Sequence, residues 1–462
     1  MNQRLLPRAL PVLLACAFSG AASASGFQLL EQNASGLGNA FAGSAAVAED
    51  ASTIFFNPAG MTLLEGRQFS GGVNAIRPEA KFTNSTTAMP VNITTVGNNG
   101  GDGGSWAFVP NMYLSLPLTD KLVAGVGIDA PFGLKTEYDA SWIGRFRAVK
   151  SEIKTINLNP SIAYKASDMV SIGMGINYQK FDAELTNATA ISASLCAAPA
   201  SPGIAALCAA GALSNLEGSA KVSGGDYGWG YNFGVIFTLS PQTRVGLSYR
   251  SAIKYSVSGD VSFTNPTIVA GGLITTGTAA LLNGAVAAGT ANGPVTLSIK
   301  MPDTFIMSAY QRINDQWEML GDISWTGWSK IPSLDIYRTS GALLTSTPEN
   351  FRDTWRVAFG GTYKYSDLWK IKMGIAYDQT PVRDDARTPR LPDNNRTWLS
   401  VGAQYKPGKD STLDVGYSYL YVPNTSSNNT GGSAASTAAA GALVGSYKES
   451  VNILGVQYTQ KF

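Results

Sequence analysis

The chain has 462 residues, of which 44% are hydrophobic and 14% charged, with 34 basic and 32 acidic side chains. Such balanced charge argues against nucleic-acid binding, which requires a basic surface. Histidine is absent. Its absence removes the usual general base and the commonest metal ligand, so we expect neither an enzyme nor a bound cofactor or metal.

Residues 1–24 have the pattern of a secretory signal peptide. Arg4 and Arg8 form a basic start, an apolar stretch follows, and Ala22-Ser23-Ala24 supply the small residues of a cleavage site. The apolar stretch is shorter than the ~20 residues that a transmembrane helix needs. We therefore expect the chain to be exported.

Residues 25–67 are rich in Gly, Ala, Ser and Asn and alternate only weakly between apolar and polar side chains. They include Asn57-Pro58-Ala59, whose proline is incompatible with a helix interior or a central strand. Asn before Pro is also an ordinary turn signal. Because the segment lies between a signal peptide and a long run of strands, we predict a compact N-terminal hatch that plugs the lumen of a barrel.

From Gln68 onward, apolar and polar residues alternate with the period of two that indicates β-strands. A soluble sandwich alternates in the same way, but aromatic residues at the strand ends favour the girdles of an outer-membrane barrel. We predict an all-β fold, a transmembrane antiparallel β-barrel over 68–462. Its roughly fourteen strands are expected near 68–78, 105–117, 121–132, 149–165, 169–185, 220–240, 243–260, 295–314, 316–330, 351–366, 369–381, 396–406, 411–422 and 447–462.

Short connections follow the even-numbered strands of this series, and long ones follow the odd-numbered strands. Bacterial barrels separate periplasmic turns from extracellular loops in this way. An even number of strands places both termini in the periplasm, from which the hatch can enter the barrel. Within the third strand, Pro131 and Gly133 flank Phe132, and this combination predicts a bulge or kink.

Two long loops, 185–216 and 265–299, contain no charged residue. We expect them to form short apolar helices that expose a landing surface outside the membrane, or else partly disordered filler, as we expect for 423–445. The first loop contains Cys196 and Cys208. In an exported protein such a pair is expected to form a disulfide, with two free thiols as the alternative.

Several motifs together resemble those of one family. In the hatch they are Gly26-Phe27-Gln28-Leu29, Ser35-Gly36-Leu37-Gly38, Glu49-Asp50-Ala51 and Asn57-Pro58-Ala59; later ones are Val109-Pro110-Asn111-Met112, Leu391-Pro392-Asp393, Arg396-Thr397-Trp398-Leu399-Ser400 and Phe462. The chain thus resembles the FadL family of outer-membrane transporters, which carry long-chain fatty acids and other hydrophobic compounds and include an aromatic-hydrocarbon branch. The resemblance spans nearly the whole chain, although the third strand matches only at Gly133-Leu134 and by position.

The resemblance implies uptake of a hydrophobic compound, with long-chain fatty acids as the first candidate and monoaromatic hydrocarbons as the alternative. A non-selective porin needs no plug, and a barrel hydrolase would need a base other than histidine. Arg396 is the candidate contact for a carboxylate head group, or else it pairs with Asp393. We expect outer-membrane lipid and lipopolysaccharide around a monomer, and recognition of Phe462 by the barrel-assembly machinery.

The kink at Pro131, Phe132 and Gly133 suggests an exit route. A proline without an N–H can interrupt the hydrogen bonds that seal the wall, so we expect a lateral opening there for release into the membrane. We also expect Asn57-Pro58-Ala59 to act as a gate by packing against the kink. A kink that serves only the shape of the barrel is the alternative.

Overall fold

The strands form one antiparallel sheet that closes on itself. This computed structural model describes residues 26–197 and 199–462, and the signal peptide expected at 1–24 lies outside them. Nineteen strand segments make up the sheet. They are β1 (Gln68–Asn84), β2 (Ala107–Pro117), β3 (Leu122–Asp129), β4 (Gly133–Glu137), β5 (Lys150–Lys165), β6 (Val170–Ala190), β7 (Glu217–Ser240), β8 (Thr243–Arg250), β9 (Ile253–Thr264), β10 (Gly293–Met301), β11 (Thr304–Arg312), β12 (Trp317–Thr326), β13 (Ser333–Arg338), β14 (Leu343–Pro348), β15 (Thr354–Lys364), β16 (Trp369–Asp378), β17 (Arg396–Tyr405), β18 (Ser411–Asn429) and β19 (Leu443–Lys461).

The nineteen segments make fourteen wall strands, because five wall strands are interrupted and each of these consists of two segments. The interrupted strands are β3 with β4, β8 with β9, β10 with β11, β12 with β13, and β14 with β15. β1 pairs with both β2 and β19, which closes the cylinder. The predicted antiparallel barrel of fourteen strands is therefore confirmed.

The polarity of the wall is inverted relative to that of a soluble protein. On β16, Ile371, Met373 and Ile375 are 42–49% exposed on the outer face, whereas Lys372 between them is only 2% exposed and points inward. Apolar side chains face outward because lipid surrounds the wall, and polar ones face a filled lumen. Exposed aromatic residues lie near both rims, including Trp317, Trp369, Trp229 and Trp355.

The hatch fills the lumen, and nearly every side chain from Gly26 to Met61 is buried or half-buried. It contains only short helical turns, at Leu37–Asn39, Thr53–Phe56 and Pro58–Leu63. Its apolar side chains, such as Phe41 and Ile54, pack in one core with inward residues of the wall, such as Trp398. Among the described residues, no helix is both long enough and apolar enough to cross a bilayer.

Short turns and long loops lie at opposite ends of the barrel. The first strand and the last pair from Gln68 with Lys461, so the hatch entrance and Phe462 share the end that carries the short turns. The prediction of disorder at 423–445 is wrong. β18 continues to Asn429 and a helix spans Ala434–Ala440, because pairing with β19 satisfies the backbone whatever the side chains are.

The two uncharged loops fold into helices at the long-loop end: Ile191–Cys196 and Pro202–Ala209 in the first loop, and Thr276–Gly289 in the second. Ile191, Leu207 and Leu282 belong to one apolar cluster that joins the loops. Val269, Leu273 and Leu281 remain 65–78% exposed. The structure also bonds the Sγ atoms of Cys196 and Cys208.

We predict that Cys196 and Cys208 are oxidised in the mature protein. Closing a loop of this size contributes about 3 kcal/mol in the chain-entropy model, and here it ties the helix Ile191–Cys196 to the helix Pro202–Ala209. Thiol labelling of denatured, unreduced protein should modify neither cysteine, and labelling after reduction should modify both. Modification of both cysteines without reduction would show two free thiols.

Candidate functional site

The barrel wall has a gap beside β2. β2 pairs with β3 only from Met112 to Pro117. Beyond the interruption at 130–132, β4 pairs with β5 alone among the described strands. Residues 107–111 of β2 therefore have β1 on one side and no strand on the other. We call this opening between β2 and β4 the wall gap.

The interruption at Ala130 to Phe132 adds one residue relative to β5. Asp129 pairs with Asn157, but the next paired residue, Gly133, lies opposite Lys154. The Thr155 hydroxyl partly repairs the lost ladder, since it accepts a hydrogen bond from the Phe132 N–H at 2.9 Å and donates one to the Phe132 carbonyl at 2.8 Å. Pro131 cannot donate a backbone hydrogen bond, and strands commonly break at such a residue.

The first residues of the hatch cover the gap from inside. The Leu29 N–H donates to the Pro131 carbonyl at 2.8 Å, and the Gly133 N–H donates to the Phe27 carbonyl at 2.9 Å. The Gln32 amide also donates to the Ala130 carbonyl at 2.8 Å. We call residues 26–29 the hatch tip. It bonds the third strand on the side where β2 would pair in an uninterrupted wall.

Asn57-Pro58-Ala59 lies elsewhere, so the predicted contact of this motif with the kink is wrong. The Asn57 side chain donates to the carbonyls of Ala45, Val235 and Leu247 at 2.7–3.3 Å. A Cβ added to Gly234 would lie 1.9 Å from Asn57 Oδ1, and one added to Gly173 would lie 2.3 Å from the Ala59 nitrogen. The motif therefore docks on β6, β7 and β8, where glycines let the hatch backbone approach the wall.

The hatch tip ends in an aromatic cluster within the lumen. The Phe27 ring lies 4.8 Å from Trp328, 6.3 Å from Phe132 and 6.5 Å from Phe351 between centroids. All four rings are buried. Phe27 is the one of these four rings that belongs to the hatch.

Arg396 is buried at the end of β17 and pairs with Asp393. Its Nε and Nη2 donate to Asp393 Oδ1 at 2.9 and 2.6 Å. The other oxygen of Asp393 accepts hydrogen bonds from the Gly26 N–H at 3.0 Å and from Thr380 Oγ1 at 2.6 Å. The cavity beside Arg396 measures only about 30 Å³. The structure thus shows the pairing alternative, and contact with a ligand head group stays a prediction.

Sequence reasoning missed a buried charge cluster that holds the body of the hatch. Lys372 Nζ on β16 donates to Glu49 of the hatch at 2.7 Å, to Asp414 at 3.1 Å and to the Ser35 carbonyl at 2.9 Å. Gln404 donates to both carboxylates. The sequence does contain an inward lysine in the alternating pattern of β16 and an acidic pair in the hatch. The local pattern does not predict that these residues contact each other.

We predict that Lys372→Met loosens the hatch. Removing one partner from a buried charge cluster leaves Glu49 and Asp414 without their main cation and should lower the free energy of unfolding by about 3–5 kcal/mol. Urea titration of barrels refolded in lipid vesicles measures this change.

Lys364→Met is the matched control, because the Lys364–Asp367 pair is solvent-exposed and should contribute little to stability. Equal, small losses for the two variants would contradict a holding role for Lys372.

The fold and these contacts can be compared with known proteins. Residues 15–462 match the family described as outer membrane protein transport protein (OMPP1/FadL/TodX). The chain is 33% identical over 425 residues to a long-chain fatty acid transport protein of Escherichia coli O6:H1, with 91% of this chain and 92% of that protein covered. It is 32% identical to outer membrane protein P1 of Haemophilus influenzae, with 91% and 90% covered.

Solved structures show the same fold. A Pseudomonas aeruginosa FadL homologue superposes with a TM-score of 0.81 at 24% identity, covering 94% of this chain and 99% of that one. The Ralstonia pickettii toluene transporter TbuX superposes with a TM-score of 0.64 at 19% identity, covering 94% and 100%. The match over almost the entire chain, together with a plugged barrel of fourteen strands, shows that this chain belongs to the OMPP1/FadL/TodX family of outer-membrane transport proteins.

Proposed function

We propose that this protein takes up hydrophobic compounds, with long-chain fatty acids as the first candidate, and releases them sideways into the membrane through the wall gap. The observation that carries the proposal is the unpaired stretch of β2 opposite the interrupted third strand, where the hatch tip bonds the interruption from inside the lumen. The relatives include a long-chain fatty acid transport protein, which supports this cargo class.

Lateral release follows from the chemistry of such a cargo. Each methylene kept out of water contributes roughly 0.8 kcal/mol, so release of a long chain into an aqueous compartment is strongly unfavourable. An exit through the wall keeps the chain in apolar surroundings. The aromatic cluster at Phe27, Phe132 and Trp328 lies directly behind that exit and provides such apolar surroundings.

The hatch tip is the part of the hatch suited to move. Two backbone hydrogen bonds join it to Pro131 and Gly133, and each contributes about 0.5–1.5 kcal/mol. Its other hydrogen bonds join the Gly26 N–H to Asp393 and the Gln28 side chain to Thr304 and Thr326. The body of the hatch is held by Asn57 on one side and by the buried Lys372 charge cluster on the other. A ligand that displaces Phe27 can therefore open the gap while the hatch stays in the lumen.

Monoaromatic hydrocarbons are the second candidate cargo, favoured by the aromatic lining behind the gap and by structural similarity to a toluene transporter. A non-selective porin is a weaker candidate, because the hatch occupies the lumen. For the orientation, we propose that the short-turn end with the hatch entrance and Phe462 faces the periplasm. The exposed Phe462 side chain is then available to the barrel-assembly machinery of a monomer surrounded by lipid and lipopolysaccharide.

The exit route is tested by replacing Ala130 to Gly133 with the regular strand sequence Val-Thr-Val-Thr. Without the proline the third strand can pair with β2, so uptake of oleate by cells should fall severalfold at equal amounts of folded barrel. The same kind of replacement at Ser251-Ala252, where β8 and β9 are interrupted away from the gap, should leave uptake unchanged. Unimpaired uptake after the first replacement would refute the lateral route.

The head-group role of Arg396 has a separate test. If Arg396 contacts the carboxylate, Arg396→Ala should weaken fatty-acid binding by about 1.5–3 kcal/mol, the range for a charged hydrogen bond, and should change binding of a neutral hydrocarbon far less. Asp393→Asn is the matched variant, because it leaves the arginine in place without its partner and should preserve fatty-acid binding. Equal losses for both ligands in both variants would mean that the pair is structural.

A further inference from the structure

A second cavity lies at the long-loop end, and neither the hatch nor the wall gap accounts for it. It measures about 380 Å³, within the range of roughly 300–1,000 Å³ typical of small-molecule sites. Its lining comes from segments far apart around the wall: residues just before β5, the end of β6, the hairpin of β13 and β14, the 379–395 loop, and the helix Ala434–Ala440 with the end of β18. Segments from opposite sides of the cylinder can meet only above the lumen, so we call this space the mouth cavity.

Arg147 is half-buried in the wall of the mouth cavity and makes contacts only with neutral groups. Nη1 donates to Ser436 Oγ at 2.9 Å, and Nη2 donates to the carbonyls of Ser436 and Gly441. Nε is buried without a partner. The ion pairs found in the described part of the chain do not include this guanidinium.

Arg390 enters the same cavity from the 379–395 loop. Its Nη1 donates to the Lys150 carbonyl at 3.2 Å and to Ser151 Oγ at 2.9 Å, and these acceptors are again neutral. Two buried arginines at the same end of the barrel differ in this respect. Arg145 pairs with Glu217 at 2.6 Å, and Arg396 pairs with Asp393 at 2.6 Å.

Few acids lie near these two cations. Asp385 is the one carboxylate among the cavity-lining residues, and it is exposed. Glu349 lies near Arg390 but is not among the cavity-lining residues; burial raises the pKa of its carboxyl to about 8, while the arginine lowers it. Burial lowers the pKa of Arg147 and of Arg390 to about 10, and both remain cationic.

We propose that Arg147 and Arg390 form an anion site in the mouth cavity, which binds the carboxylate of an amphiphilic acid before it enters the lumen. A half-buried guanidinium with unused donors is best satisfied by a planar carboxylate. Apolar side chains beside the two arginines, Phe146, Pro348 and Pro389, offer a surface for the adjoining chain. The inference rests on the proposed function and narrows it, since a site of this kind favours acids over neutral hydrocarbons of the same length.

The test uses the full-length barrel in lipid nanodiscs and three probes: octanoate, octan-1-ol and inorganic phosphate. Calorimetry should show that Arg147→Gln/Arg390→Gln loses about tenfold or more in octanoate affinity, as expected when a charge-assisted contact is removed. Octan-1-ol affinity should not change. Arg383→Gln, which removes an exposed arginine of the same loop outside the cavity, is the matched control and should bind octanoate like the unaltered protein.

Three outcomes overturn the proposal: equal loss for octanoate and octan-1-ol, no loss for either, or arginine-dependent binding of phosphate with no binding of octanoate. If the double variant does not fold, Arg390→Gln alone serves as the test, because Arg390 makes only two hydrogen bonds among the described residues. Its octanoate affinity should still fall severalfold. Failure of the transport proposal looks different: octanoate binding would depend on the two arginines, while cells expressing the unaltered barrel would take up no fatty acid.

Discussion

The structure depends on one constraint: backbone N–H and C=O groups in a lipid-facing wall must find partners within the protein. Most of the wall satisfies this requirement by closing, since β1 pairs with β19. The third strand does not, because the interruption at Ala130 to Phe132 separates β4 from β2. Its freed groups are met from inside by Phe27, Leu29 and Gln32 of the hatch. At this place the hatch tip helps to complete the hydrogen bonding of the wall.

The body of the hatch and the hatch tip are held by different kinds of contact. Its body docks on a wall cleared by glycines at Gly173, Gly234 and Gly246, where an added Cβ would collide with hatch atoms. On the opposite side Lys372 joins Glu49 and Asp414 in a buried charge cluster. The tip is held by two backbone hydrogen bonds, the packing of Phe27, and hydrogen bonds of Gly26 and Gln28 to wall and loop side chains, with no ion pair of its own. Local displacement of the tip is consequently far less costly than release of the whole hatch.

Four arginines at the long-loop end of this barrel differ in their partners. Arg396 and Arg145 are buried and paired with Asp393 and Glu217. Arg147 and Arg390 contact only carbonyls and hydroxyls at the edge of a sizeable cavity. A buried cation without a counter-ion is unfavourable, and a ligand carboxylate would relieve that cost. Selectivity at the mouth and passage through the wall gap would then rest on different residues and could vary independently.

The sequence by itself determined the features that follow from local pattern. The period of two and the alternation of short and long connections depend only on neighbouring residues, so the number of strands could be predicted. Pro131 likewise indicated where the third strand breaks. The tertiary structure decided which distant residues meet. Gly26 reaches Asp393, and Glu49 reaches Lys372, across more than 300 residues, and Asn57 docks on β7 rather than on the kink. Such contacts depend on how the cylinder wraps around the hatch, because a closed barrel makes every wall strand a possible neighbour of the plug and local side-chain pattern does not distinguish among them.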